Sequence, residues 1–502
     1  MSRGSRGTAR CLRRSRGRSE HLDDAPPWFG EGEPVTPPVQ LPDSAFSRGD
    51  RIEREPGADE SALERVTMRR VSVRLLPFLF ILYIGNYLDR TNVAMAALQM
   101  NRDLHFSATA YGLGAGVFFL GYCLLEVPSS IVLARVGARR WIARIMISWG
   151  LIASAMLFVR TPIQFYSLRF LLGAAEAGFF PGIIYYLSQW FPAHARARAI
   201  ALFAIAIPLS GAVGGPLSAS LLGLDGVLKL AGWQWLFLLE GVPSVLLGLA
   251  TLVLLTNAPA DARWLSEPQR AWLVDRMRRD QEESGAPHGV PPLRALLQPL
   301  LWLVALPYLL LCTIGYVYIF WAPTLIRDSL HASALVTGLI LGGVACLAAA
   351  GMFLAAAGAD RGGEHALRAA AGLALAALGC VCAAVLPTPI ARIGGLALAY
   401  IGTNAAFAPY WCIPPMLLRG SAAAAGIALV NSLGNLGGFI GPYAMGWLMD
   451  VTGSTRGAFL GAAVLGLVAA ALCVVLRRRV AFATPARAGR RRAPLTPLER
   501  PA

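Results

Sequence analysis

Twelve blocks of apolar residues, each long enough to cross a bilayer as a helix, dominate this chain of 502 residues. A crossing helix needs roughly 20 residues. The blocks run near 75–99, 109–134, 141–159, 163–190, 199–223, 233–256, 297–322, 333–357, 366–386, 390–417, 421–447 and 457–476. Hydrocarbon offers no water to satisfy backbone polar groups, so such blocks must satisfy their own as helices. Charged residues make up only 15% of the chain, against about 25% in soluble proteins. The expected fold class is an all-α membrane protein with 12 transmembrane helices.

A net charge of +16 would suit a nucleic-acid partner, but its distribution excludes one. With the N-terminus in the cytoplasm and the blocks alternating, each outer loop receives a single cation: Arg102, Arg160, Lys229, Arg327, Arg392 and Arg456. Arg90 and Arg169 lie inside apolar blocks, and all the other lysine and arginine positions fall on inner loops and tails. That is the positive-inside pattern. It predicts a multi-pass protein of the cell inner membrane with both termini cytoplasmic, surrounded by membrane lipid. The eight cysteines show no metal-ligand spacing and no outer-loop pair that could form a disulfide. Neither a metal nor a cofactor is expected.

Residues 1–73 are Arg/Ser-rich, then Pro-, Gly- and acid-rich, and read as a disordered cytoplasmic tail. Two six-helix bundles are expected over 74–256 and 297–477, with a cytoplasmic linker at 257–296 and a basic tail at 478–502. In the linker, Ser266 and Gln269 have capping-box spacing, and Trp272, Leu273 and Met277 fall on one side. An amphipathic helix on the inner membrane surface is expected, or a passive connection between the bundles.

The halves repeat. "IALFAIAIPLSGAVGGP" (200–216) aligns with "IALVNSLGNLGGFIGP" (427–442), and "ARVG" (134–137) with "ADRG" (359–362). The offset spans six helices, so both halves keep one orientation. Parallel repeats of this kind place a transport site at the midplane between two bundles.

Within the first block, "YLDRTNVAMA" (87–96) holds adjacent opposite charges. A charge in the membrane costs several kcal/mol unless it faces a cavity or a partner. Neighbouring helical residues point about 100° apart, so Asp89 and Arg90 must look to different helices. The fourth block supplies Arg169 and Glu176, seven residues apart on one face. These four groups are expected either to build a polar site in the first bundle or to form a static ion-pair network. Glu126 is a candidate for a gating contact or for a pair with an inner-loop arginine. Glu240 reads as interfacial, and Asn404, Asn431 and Asn435 as uncharged polar groups in helices 10 and 11.

Together with "LLEVPSSIVLARVGARRWIAR" (124–144), "RFLLGAAEAGFFPG" (169–182) and "WQWLFLLEGVPS" (233–244), these stretches resemble the major facilitator superfamily, and within it the anion:cation symporter family. The resemblance implies two parallel-repeat six-helix bundles. It implies proton binding at Asp89 and Glu176, an anion ligand at Arg90 assisted by Tyr87 and Arg169, and contacts to substrate hydroxyls from Asn431 or Asn435. Family gating loops match at Arg135, Arg139, Asp360 and Arg361, although Arg135 stands where an aspartate is usual. The implied function is import of a small organic anion, a carboxylate such as a sugar acid, tartrate-like diacid or aromatic acid, with protons by alternating access, by a monomer. The alternative is an exporter or antiporter of drugs or metabolites. An enzyme is disfavoured, because none of the six histidines lies deep in a block and no nucleophile–base pair appears.

Overall fold

The computed structural model describes residues 56–483 apart from 285–298, 363 and 418–421. Among the described residues, eleven segments are long and apolar enough to cross a bilayer. In chain order they are span 1 (Glu60–Asp103), span 2 (Ala108–Val136), span 3 (Ala138–Phe158), span 4 (Pro162–Trp190), span 5 (Ala193–Leu222), span 6 (Gly232–Leu254), span 7 (Pro299–Leu330), span 8 (Ala334–Gly358), span 9 (His365–Val385), span 10 (Pro389–Leu417) and span 12 (Arg456–Arg479). Span 11 consists of two consecutive helices, Ala422–Asn435 and Gly437–Thr452. All twelve expected blocks are thus helical. The first helix begins at Pro56, inside the stretch expected as a tail over 1–73.

One break in the spans matters for function. Span 1 runs on through Asn92, which keeps helical geometry and the i→i−4 hydrogen bonds. Span 4 is interrupted after Glu176, where Ala177 leaves helical geometry and Gly178 takes φ +86°. A side chain at Gly178 would be strained by that left-handed backbone, and its Cβ would also lie 2.3 Å from Ser129 Oγ. Glu176 therefore sits at the end of a half-helix deep in the protein. Broken helices at membrane depth are tolerated only where protein or a cavity satisfies the freed backbone.

Spans 2 and 4 cross with their backbones nearly touching. A Cβ on Gly173 would lie 1.9 Å from the Phe118 carbonyl oxygen, and one on Gly121 would lie 2.3 Å from that of Phe170. Small residues permit this approach, and it fixes span 4, with its charges, directly against span 2.

The bundles meet along two seams, both on the arginine-poor face. On one, span 2 packs against span 11: Cβ atoms on Gly112 and Gly446 would fall 2.3 Å and 2.2 Å from the carbonyl oxygens of Pro442 and Ala108. Asp450 of span 11 caps the start of span 2, accepting from the N–H groups of Ala108 (3.2 Å) and Thr109 (2.7 Å). On the other, span 5 packs against span 8, with Gly215 and Gly338 backbone to backbone. Toward the arginine-rich face, the first half of span 5 (Ala193–Ala204) packs on spans 1 and 4 of its own bundle. The contacts at these seams hold the two bundles together on the arginine-poor face.

The linker helix spans Glu267–Ser284. The Gln269 carbonyl accepts from the Ser266 N–H, one arm of the expected capping box. Leu273 and Met277 are buried, packed on protein, so the apolar side faces the bundle and not lipid. Asp280 accepts from the Ala193 N–H at 2.7 Å and so ties the helix to the start of span 5. On its exposed face Arg278 donates to Asp275 at 2.8 Å, which holds that carboxyl below its usual range.

Candidate functional site

Arg90 and Glu176 form the centre of the site. The Arg90 Nε donates to Glu176 Oε1 at 2.9 Å, and its Nη2 donates to the same oxygen. The Glu176 side chain is fully buried, whereas that of Arg90 keeps 15% of its surface open. The guanidinium lies over the rings of Tyr122 (5.0 Å) and Phe118 (5.5 Å) of span 2. Arginine suits this position, since its planar charge stacks on aromatic rings and still offers a fork to a carboxylate. From the second bundle, Tyr316 of span 7 reaches Arg90, and its ring meets that of Phe119 at a tilt of 59°, centroids 4.4 Å apart. Tyr87 and Tyr400 bring their hydroxyls together across the bundle boundary, and Tyr400 stacks on Tyr318 at 4.1 Å. The arrangement is one exposed cation, one buried carboxylate and a wall of tyrosines from both halves.

The other two predicted charges lie elsewhere. Arg169 is fully buried but meets no carboxylate. Its Nε and Nη2 donate to the Gly114 and Ala115 carbonyls of span 2 at 3.3 and 3.2 Å, and its charge lies 4.9 Å from the centre of the Phe118 ring. The expected double-arginine site is therefore a single arginine, with Arg169 fastening span 4 to span 2. Asp89 turns away from Arg90 into the interior of the first bundle. Its Oδ2 accepts from Trp149 Nε1 of span 3 (2.7 Å) and from the Ser244 hydroxyl of span 6 (2.6 Å). The 100° between adjacent helical residues has sent the two charges to separate pockets.

Glu126 meets no inner-loop arginine. It accepts across the bundle boundary from the Ser432 hydroxyl (2.9 Å) and Asn431 Nδ2 (3.3 Å) of span 11. Asn431 is thus engaged with Glu126, while Asn435 makes no side-chain hydrogen bond among the described residues. Asn404 donates back to the Tyr400 carbonyl of its own helix. A neutral side-chain hydrogen bond contributes about 1 kcal/mol, so Ser432→Ala is expected to loosen this latch and speed exchange by no more than about fivefold. Counterflow rates in vesicles measure it.

Arg135 and Arg139 are exposed and make no side-chain ion pair among the described residues. Gly137 between them adopts φ +93° against Asn257, whose Oδ1 accepts the Arg139 N–H. The side chains of Asp360 and Arg361 lie outside the described residues. Glu240 is not interfacial. It is buried at 7% exposure and accepts from the Ser218 hydroxyl of span 5 at 2.9 Å.

Residues 79–424 match the Major Facilitator Superfamily. A protein of Agrobacterium vitis named "Putative tartrate transporter" is 45% identical over 83% of this chain and 96% of its own length. The "Quinolone resistance transporter" of Acinetobacter baumannii is 39% identical over 78% of this chain and 90% of its own. Among solved structures, a bacterial homologue of the human lysosomal transporter Spinster, in an inward-facing and unoccupied conformation, superposes with a TM-score of 0.69. It is 18% identical, over 83% of this chain and 99% of that one. Fold, repeat and relatives agree that this multi-pass membrane protein is a small-molecule transporter and not an enzyme, and that it belongs to the Major Facilitator Superfamily.

Proposed function

We propose that the protein imports a small carboxylate together with protons, Arg90 binding the anion and Glu176 and Asp89 carrying the protons. The observation that carries this reading is the Arg90–Glu176 pair, in which the cation is partly exposed and its carboxylate partner is sealed. A substrate carboxylate can take the open side of the guanidinium in a bidentate contact. Glu176 then loses its counter-charge, and a proton can take the place of the arginine on it. Anion and proton each raise the other's affinity, as linkage requires. The tartrate name of two Agrobacterium vitis relatives supports a hydroxy-diacid. In this reading the arginine-rich face is the cytoplasmic one, and the protein works as a monomer in the inner membrane. Asn435, unengaged at the boundary, is free to meet substrate hydroxyls.

Export of an aromatic drug is the second reading, favoured by the tyrosine-rich wall and by the quinolone-resistance relative. Reconstituted vesicles with a pH-sensitive dye inside separate the two. Labelled tartrate entering together with protons, from a panel of carboxylates and fluoroquinolones, is the expected result. Proton-driven quinolone movement with no carboxylate flux would overturn the import reading.

A further inference from the structure

Ahead of its apolar block, the first helix presents Val66, Arg69, Arg70, Val73 and Arg74 on one face, at helical spacings of three and four. Together with Trp264, from the loop that leaves span 6, they line a recess of about 640 Å³, within the size range of ligand sites. The indole is held on two sides. Trp264 stacks on the fully buried Trp190 of span 4, with ring centres 5.6 Å apart, and its Nε1 donates to Thr256 Oγ1 at 3.2 Å. The Arg74 guanidinium lies 5.0 Å from the centre of the Trp264 ring. Stacking occupies the flat face of the group and leaves its edge free to donate. Arg70 Nη1 donates to Gln269 Oε1 of the linker helix at 3.2 Å.

None of the three arginines pairs with a carboxylate among the described residues. Glu64, further out on the same helix, meets His194 at 2.9 Å, and Glu267 of the linker helix meets Arg270 at 3.8 Å. Arg70 and Arg74 are four residues apart, so their charges repel along one helix face. An anion between them removes that repulsion, and a phosphate offers oxygens to two arginine forks at once. The depth also fits. Arg70 and Arg74 are separated by about 6 Å along the axis, close to the thickness of the polar zone on one side of a bilayer, about 5–7 Å. Apolar sequence begins at Leu75, directly inward of Arg74. On the same face Val73 is 67% exposed, and Pro77 and Ile81 stay exposed further in. A basic recess thus opens onto an apolar strip at the depth of the hydrocarbon. Orienting the span needs only the charges; neither the recess nor the indole under Arg74 serves that end.

We infer that this recess is a binding site for an anionic phospholipid of the adjacent leaflet. Arg69, Arg70 and Arg74 take the phosphate head group, and the apolar strip of span 1 takes an acyl chain. Basic pockets at the ends of membrane helices hold such head groups. The bound lipid joins span 1 to the Trp264 loop and the linker helix, the segment that connects the two bundles. The site is independent of which substrate the protein carries and in which direction.

Melting temperatures of the purified protein in a neutral detergent, titrated with phosphatidylglycerol, phosphatidylcholine or inorganic phosphate, test the site. Inorganic phosphate shares the chemistry of the head group and lacks the acyl chains. A ligand that binds only the folded protein raises the melting temperature by mass action. Phosphatidylglycerol is expected to act at a concentration at least about tenfold below that of phosphatidylcholine, with no shift from inorganic phosphate. The double variant Arg70→Gln/Arg74→Gln should lose that preference. Both side chains are exposed, so it is expected to fold and, without lipid, to melt as the unaltered protein does. Arg74→Gln alone carries the test if the pair does not fold. Arg478→Gln/Arg479→Gln is the matched control: it removes the same charge from exposed positions at the end of span 12 and should keep the preference. Equal stabilisation by both lipids, a preference that survives in Arg70→Gln/Arg74→Gln, or one lost equally in the control would overturn the site and leave a general attraction of basic loops for anionic membranes. Stabilisation by inorganic phosphate that phosphatidylglycerol does not exceed would assign the arginines to a soluble anion and overturn the lipid.

Discussion

Arg90→Ala is expected to abolish carboxylate uptake and to destabilise the protein by about 3–5 kcal/mol, the usual cost of leaving one member of a buried ion pair alone. Glu176 is fully buried, and among the described residues Arg90 is its only hydrogen-bonding partner. Arg90→Lys should restore much of the stability but little transport, since an ammonium cannot form a bidentate contact while stacked on Tyr122. The double variant Arg90→Ala/Glu176→Gln removes both charges and should melt nearer the unaltered protein, still without transport. Thermal unfolding in detergent and uptake in vesicles check all three. A single Arg90→Ala that melts normally would show that Glu176 is neutral in the resting state, and would remove the basis for proton–anion linkage at this pair.

Gly173→Val is expected to have the other large effect. The first atom of the new side chain would already lie 1.9 Å from the Phe118 carbonyl oxygen and 3.1 Å from the Tyr122 nitrogen, both backbone. Spans 2 and 4 would have to part, withdrawing Arg169 from its carbonyls and shifting Glu176 relative to Arg90. Overpacking of this kind costs about 1–3 kcal/mol and sometimes more. Uptake should fall by at least about a hundredfold, since displacing reactive groups by an ångström costs that much in comparable sites. Gly461→Ala is the matched control: nothing lies within 4 Å of its position, and both stability and uptake should hold.

Much of this architecture is written in periodicity and charge. Block lengths give the spans, and loop arginines give their alternation. The adjacency of Asp89 and Arg90 already forces the two apart. Four charges isolated in apolar helices mark Asp89, Arg90, Arg169 and Glu176 as a group, but which arginine meets which carboxylate is set by how the helices are rotated. Partners that are single hydroxyls or indoles leave no such trace. Nothing in "LLEGVPS" says that Ser244 turns to Asp89, because one serine on an apolar helix has no period and its direction depends on how span 6 is rotated. Arg169 was opaque for a different reason, as its partners are backbone carbonyls and any sequence supplies those. Glu240 looked interfacial because its distance from the chain's turn is short, whereas burial is set by spans 1 and 5 closing over it.

The glycine contacts between Gly112 and Pro442, and between Gly215 and Gly338, give those stretches of the seams smooth edges, beside a few specific ties such as the Asp450 cap and the Tyr111 hydroxyl that donates to the Phe320 carbonyl. Interlocked side chains would have to leave their rotamers one by one as the halves part, and each would contribute a heat of separation. Smooth edges part with few such exchanges, so the turnover rate should rise only shallowly on warming. Such a transporter would keep working in the cold.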